Sequence, residues 1–179
     1  MPSEYHLVID GETAEENWVY LDDDTALDAL TDAPTIISLT RLKAEADALR
    51  ARNAPLGVVL EADGDGKTSL GEDVHELAPY LDMVSLVALR FPAYRNGRGY
   101  SAARILREQM DYEGELRATG DVLYDQWAMM ARCGINAFEL AADTPLDSFK
   151  TALGEFSGAY QPAADGDSGV KTGWRRNRF

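Results

Sequence analysis

Five short apolar runs, each followed by a stretch with helical spacing, constrain this chain more than any other feature. Thr35–Leu39 is a β-branched run, and residues Arg41–Arg52 continue with helical periodicity. Leu56–Glu61 (LGVVLE) precedes a Gly/Asp loop. Ser69-Leu70-Gly71-Glu72 then has the spacing of a capping box, which predicts a helix to about Tyr80. Ser85–Phe91 (SLVALRF) is almost continuously apolar, the pattern of a strand covered on both faces. Further along, a helix is expected over Ser101–Met110, a strand over Gly114–Thr119, a helix over Asp121–Arg132 closed by Gly134, and a strand over Asn136–Leu140. Thr144 and Pro145 suit the N-cap and first position of a final helix. Strand–helix units in series predict an α/β fold with a largely parallel sheet. A doubly wound layered sheet is the first expectation and a partial βα barrel the alternative. Upstream, Tyr5–Ile9 and Trp18–Leu21 predict an N-terminal β-hairpin across the Asp10–Asn17 loop.

At 179 residues the chain suits a single domain over residues 1–160, followed by a flexible tail over 161–179 that ends in the basic run KTGWRRNRF. That run reads as a solvated terminus or as a docking arm anchored by Trp174. MPSEYHLVID has neither the cationic start nor the apolar core of a secretory signal. No apolar run approaches the roughly 20 residues of a membrane span. One cysteine, Cys133, excludes an internal disulfide framework and suits a reducing compartment, so a cytoplasmic protein is expected. A formal net charge of −14 argues against a general nucleic-acid binder, because phosphate neutralisation drives such binding.

The charge is unevenly spread. From Arg90 to Arg132 seven arginines face six acids, a balance of +1 that leaves −15 for the rest of the chain. These arginines flank Gly97-Arg98-Gly99-Tyr100-Ser101-Ala102, which follows a strand and precedes a helix. The outline is that of a dinucleotide fingerprint, but Pro92–Asn96 intervene where the fingerprint needs an immediate turn, and Arg98 would crowd a pyrophosphate. Two other readings remain open. One is a structural glycine turn with Ser101 as N-cap. The other is a small-anion site at the carboxyl end of a strand, built from backbone N–H groups near Gly97–Ser101 with Arg95, Arg98 and Arg104. In the alternating segment Glu115–Thr119, Arg117 either pairs with Glu115 or joins that site from the next strand.

Asp121 and Asp125 are four apart and would share a helix face, where they could act as acid or base; for Asp121 a simple dipole-stabilising role also suffices. Cys133 has no His or Asn motif beside it and fits an apolar gap. His6 and His75 join no recognisable constellation, so a zinc site or a histidine-based triad is not expected. Asp63-Gly64-Asp65-Gly66-Lys67 starts like a calcium loop, but Lys67, Thr68 and Val74 break the pattern, and it reads as a turn.

FPAYRNGRGYSAARILRE, GELRATGDVLYDQ and MARCGINAFEL, with IISLTRLKA and PLGVVLEAD upstream, resemble an uncharacterised bacterial family encoded beside assimilatory sulfite reductase and commonly labelled oxidoreductases of sulfite reduction. The resemblance runs from about Thr35 to Tyr160. Asn96 stands where that family's loop is expected to have Asp, so no catalytic role is carried over to it. The resemblance implies sulfur assimilation, and a partner in sulfite reductase or its electron donor. It implies no cofactor, and the residues advertise no flavin or nicotinamide fingerprint, redox cysteine pair or cluster-binding cysteines. The expectation is an accessory protein with a small-oxyanion site. The alternative is a small enzyme, an oxidoreductase of sulfite reduction among the options, acting on a sulfur oxyanion or phosphorylated substrate.

Overall fold

The computed structural model describes residues 5–26, 33–62, 71–93, 97–145, 147 and 151. Among the described residues eight strands form one mixed sheet: β1 (Tyr5–Ile9), β2 (Glu12–Ala14), β3 (Val19–Tyr20), β4 (Thr35–Ser38), β5 (Leu56–Leu60), β6 (Leu86–Phe91), β7 (Glu115–Gly120) and β8 (Ala137–Ala141). Their order is β2-β1-β8-β7-β6-β5-β4-β3. Neighbours from β3 to β8 run parallel, whereas β1 is antiparallel to both β2 and β8. The sheet is therefore mixed rather than largely parallel, and the doubly wound arrangement does not hold. A doubly wound sheet reverses its strand order at a switch point. Here β3 to β8 follow one another in sequence order, and the sheet curls into a half-barrel.

Alternation along the strands divides the core between two faces. Val58, Leu60, Val87, Leu89, Phe91, Leu116, Ala118, Phe138 and Leu140 share one buried cluster with helix residues. The helices are α1 (Leu39–Arg50), α2 (Arg98–Glu108) and α3 (Trp127–Arg132). They contribute Leu42 and Leu49, Ala102, Ala103 and Leu106, and Trp127 and Met130. Each large apolar side chain buried there contributes on the order of 1.5–3 kcal/mol. On the opposite face Ile36, Leu86 and Ala88 form a smaller cluster, covered by Trp18 and Val59. Cys133 is buried in the larger cluster, as expected of a small apolar filler.

The curl is visible in one bond. Tyr20 lies on β3, the last strand at one edge, and its hydroxyl donates to Glu139 Oε1 of β8 at 2.6 Å. Five strand spacings of about 4.8 Å would separate β3 from β8 in a flat sheet. Only a strongly curved sheet brings them into hydrogen-bond contact across its concave face.

Several expected elements shift. β1 does form a hairpin, but its partner is Glu12–Ala14, turning at Asp10-Gly11, where both residues have positive φ. The predicted partner, Trp18–Leu21, instead carries β3 at the far edge of the sheet, beside β4. The segment before β6 is a 3-10 helix over Val74–Tyr80, capped by Asp73 and interrupted by Pro79, and not a helix opened at Ser69. α2 begins at Arg98 with Gly97 as N-cap, so Ser101 lies inside its first turn and is not the cap. The helix expected over Asp121–Arg132 is reduced to a 3-10 turn, Tyr124–Gln126, followed by α3. The final helix after Pro145 lies almost wholly outside the described residues, as do the Asp63–Lys67 turn and the tail over 161–179. Among the described residues no helix is long and apolar enough to cross a membrane.

Candidate functional site

Parallel strands end together, and their carboxyl ends leave backbone and loop groups facing one cleft. Over the ends of β4, β5 and β6 lies a cavity of about 420 Å³. Ile36, Ile37 and Val59 give it apolar surface, while Asp22, Asp23, Glu61, Glu72, Ser38 and Arg90 bring polar groups. Local sequence holds these in place. Ser38 is the N-cap of α1; its Oγ accepts from Arg41 N at 3.0 Å and donates to Asp23 Oδ1 at 2.6 Å. Buried Arg41 reaches back to the carbonyl oxygens of Asp22 and Thr25, tying the 22–25 segment to α1. Arg90 Nη1 donates to Glu61 Oε1 at 2.9 Å.

A second cleft of about 270 Å³ adjoins it and shares Glu72 as a wall. Gly71, Asp73 and His75 line one side; Arg98, Ser101, Ala102 and Ile105 of α2 line the other. Glu72 makes a two-bond clasp with Glu61: its N–H donates to Glu61 O at 3.0 Å, and its Oε2 accepts from Glu61 N at 2.7 Å. Burial pushes the Glu72 carboxyl above its ordinary pKa, more than that backbone bond lowers it. Asp73 Oδ1 is held by His75, accepting from its backbone N at 3.0 Å and lying 2.8 Å from its Nδ1.

Packing sets the position of the first turn of α2. A Cβ on Gly99 would lie 2.7 Å from the Phe91 ring, so only glycine lets the helix start sit on the last residue of β6. Tyr100 meets the same ring edge-on, with centroids 5.4 Å apart. Gly97 is the N-cap of α2 and makes no side-chain capping bond.

The anticipated site residues therefore separate. Arg98 and Ser101 line one cleft, with Gly97 at its helix cap; Gly99 and Tyr100 serve packing. Arg95 lies outside the described residues. Arg104 is directed to Glu108, one helical turn on, at 2.7 Å. Asp121 follows β7, and its N–H donates to Phe91 O at 2.8 Å; Asp125 is exposed in the 3-10 turn, so the two acids share no helix face. Asp22, Asp23, Glu61, Glu72 and Arg90 were not anticipated. Their common signal was position, at or just beyond the carboxyl ends of successive parallel strands or on the segment bound to them.

Arg117 points elsewhere. It is fully buried on the concave face, where Nε donates to Glu115 at 2.7 Å and Nη1 reaches Glu16 at 2.6 Å and Glu139 at 3.2 Å. Burial opposes its charge, yet the carboxylates of Glu115 and Glu16 hold the guanidinium above its ordinary pKa. Among the described residues its Nη2 finds no partner. Burial likewise raises the carboxyl of Glu139, against the opposing effects of Tyr20 and Arg117. Tyr5 donates to Glu16 as Tyr20 does to Glu139, and both phenols are pushed well above their ordinary range, by burial first and then by Glu139. Arg117 thus pairs with Glu115, as one of its two readings had it, and adds two further carboxylates.

Among the described residues no cluster of three or more His, Cys, Asp or Glu side chains is arranged to hold a metal ion. A family model described as a bacterial protein of unknown function (DUF934) matches residues 67–170, more than half of the chain. The matched span includes α2, β6, β7 and the Arg98 side of the cleft. No curated protein and no solved structure matches the chain.

Proposed function

We propose that this chain, which belongs to the DUF934 family of bacterial proteins of unknown function, binds a small oxyanion at the start of α2 and serves as an accessory protein of sulfite reduction. The observation that carries the reading is the first turn of α2. The start of α2, with Gly97 at its N-cap, places Arg98 and Ser101 in the wall of a cleft at the carboxyl end of the parallel strands. Backbone N–H groups, the helix dipole and a planar guanidinium together favour an anion over water. The choice of sulfite comes from the resemblance of the Phe91–Asp125 block to proteins encoded beside sulfite reductase. The acidic remainder of the chain suits electrostatic docking of a basic redox partner.

A thermal melt of wild type and Arg98→Ala against sulfite, sulfate and phosphate tests the site. At one hundred times its dissociation constant a native-state ligand adds roughly 2.7 kcal/mol, about 5–10 °C in Tm for a chain of this size. The expected result is a shift with one anion that disappears in Arg98→Ala. An equal shift in the variant would remove Arg98 from the site, and no shift with any anion would leave the α2 turn as packing. For the partner, the expected result is a complex with sulfite reductase at low ionic strength that dissociates as salt is raised. Failure to co-elute at low ionic strength counts against the accessory role and leaves anion binding standing.

A further inference from the structure

The 420 Å³ cavity, to which the oxyanion reading gives no role, has one wall unlike the others. Ile36, Ile37 and Val59 of that wall lie on β4 and β5, strands paired on both sides. Tyr20 and Leu21 instead end a span, residues 15–21, that leaves β2 at one edge of the sheet and reaches β3 at the other. Its backbone pairs with β4 only at Val19 and Tyr20, which are 47% and 41% exposed. Side chains hold it to the concave face. Trp18 packs on Ile36, Leu86 and Ala88. Glu16 accepts from Arg117 Nη1 at 2.6 Å and from the Tyr5 hydroxyl at 3.1 Å, and Tyr20 donates to Glu139 at 2.6 Å. Both ends of the span are anchored. Upstream, β2 pairs with β1. Downstream, Arg41 holds the carbonyl oxygens of Asp22 and Thr25, and Ser38 donates to Asp23. Closure leaves one cost unmet. Arg117 is fully buried, and its Nη2 has no hydrogen-bond partner among the described residues. A buried donor without an acceptor keeps its whole desolvation penalty. Water admitted beneath the span would supply that acceptor and solvate Glu16 and Glu139, offsetting part of what opening breaks.

We infer that residues 15–21 are a strap that opens as a unit from the concave face while the rest of the sheet stays intact, and that this opening widens the 420 Å³ cavity to admit its ligand. Segments with few buried contacts and exposed backbone open at lower free energy than the strands they cover, and lids are drawn from them. Here Tyr20 and Leu21 move with the strap, so the cavity loses one wall. The walls on β4 and β5 stay in place. Arg117 remains on β7 as the fixed point to which Glu16 returns, and Glu139 on β8 does the same for Tyr20.

Native-state hydrogen exchange of the full chain, read by mass spectrometry, tests this in wild type, Tyr20→Phe and Glu16→Gln. In wild type, residues 15–21 are expected to exchange faster than β5 and β6 but more slowly than a free peptide of the same sequence. Tyr20→Phe removes one hydrogen bond to a carboxyl group and is expected to speed exchange of residues 15–21 roughly tenfold. Glu16→Gln removes the charged tie to Arg117 and is expected to speed it at least as much. In both variants β5 and β6 are expected to exchange as in wild type, which also shows that the variants are folded. Exchange of residues 15–21 at the rate of β5 and β6 would overturn the inference, since the span would then open only when the whole sheet does. So would exchange as fast as the free peptide, because nothing would be closed. Variants that speed all three segments alike, or that leave residues 15–21 unchanged, would also overturn it.

Discussion

Replacing Arg117 by alanine is expected to lower the melting temperature by roughly 6–20 °C. Arg117 is fully buried and lies against Glu16, Glu115 and Glu139. Removing it leaves three carboxyl groups on the concave face without a cation, and an uncompensated buried charge costs about 3–5 kcal/mol. In a chain of this length each kcal/mol corresponds to about 2–4 °C. Lysine is expected to rescue little of the loss, because a single ammonium cannot reproduce a planar fork reaching three partners. The pH dependence has a definite sign. The folded-state pKa of Glu139 is already raised, so its contribution is present below the unfolded value and is lost as pH rises through the folded one. Without Arg117 one of the effects lowering that pKa is gone, so the deficit should be greatest at neutral pH and shrink towards acid. Thermal melts of wild type and variant from acid to neutral pH check both statements. A variant melting within a degree or two of wild type at neutral pH would show that the network carries no net stability.

Gly120→Ala is the second large effect, with an expected cost of about 3 kcal/mol or more. Gly120 ends β7 at φ +91°, a conformation that L side chains rarely adopt. An added Cβ would lie 2.4 Å from the backbone oxygen of Phe91, which cannot turn aside as a side chain can. That same oxygen accepts the N–H of Asp121 at 2.8 Å. The clash and the backbone strain therefore act together. Because Phe91 also seats Gly99 and Tyr100, the disturbance reaches the first turn of α2. Chemical denaturation is expected to show a lower midpoint with an unchanged slope. The variant is also expected to bind anions more weakly even where it is fully folded. Near-wild-type stability in Gly120→Ala would mean that β6 and β7 can slide apart at their carboxyl ends without penalty.

Local pattern made the strands legible. Tyr5–Ile9 and the β-branched run at Thr35 announce themselves by composition, and β5 to β8 fall within a residue or so of the expected bounds. What periodicity cannot carry is curvature. The same five units would suit a layered sheet or a half-barrel, and the choice is made by non-local contacts such as Tyr20 with Glu139. Turn chemistry was present but passed over: Asp10-Gly11 is a hairpin signal in its own right, and it assigns the partner of β1 to residues immediately following. The start of α2 was placed three residues late because serine is a familiar cap, whereas the packing of Gly99 on Phe91 decides the matter. The arginines show the same division. Arg98, singled out by its place between two glycines, lines a cleft. Arg117 was legible in part: its pairing with Glu115 was one of its two readings, whereas Glu16, 101 residues away, left no local signal.

That separation has a consequence for how the chain is made. Glu16 precedes Arg117 by 101 residues and Tyr20 precedes Glu139 by 119. At ribosomal speeds of about 5–20 residues per second, the N-terminal segment is synthesised on the order of 5–25 s before its partners exist. During that interval β4, β5 and β6 can pair with their helices behind them, while the concave face stays uncovered. The two acidic latches close only once β7 and β8 have left the ribosome. The segment that carries Glu16 and Tyr20 is thus among the last parts of this sheet to find its place.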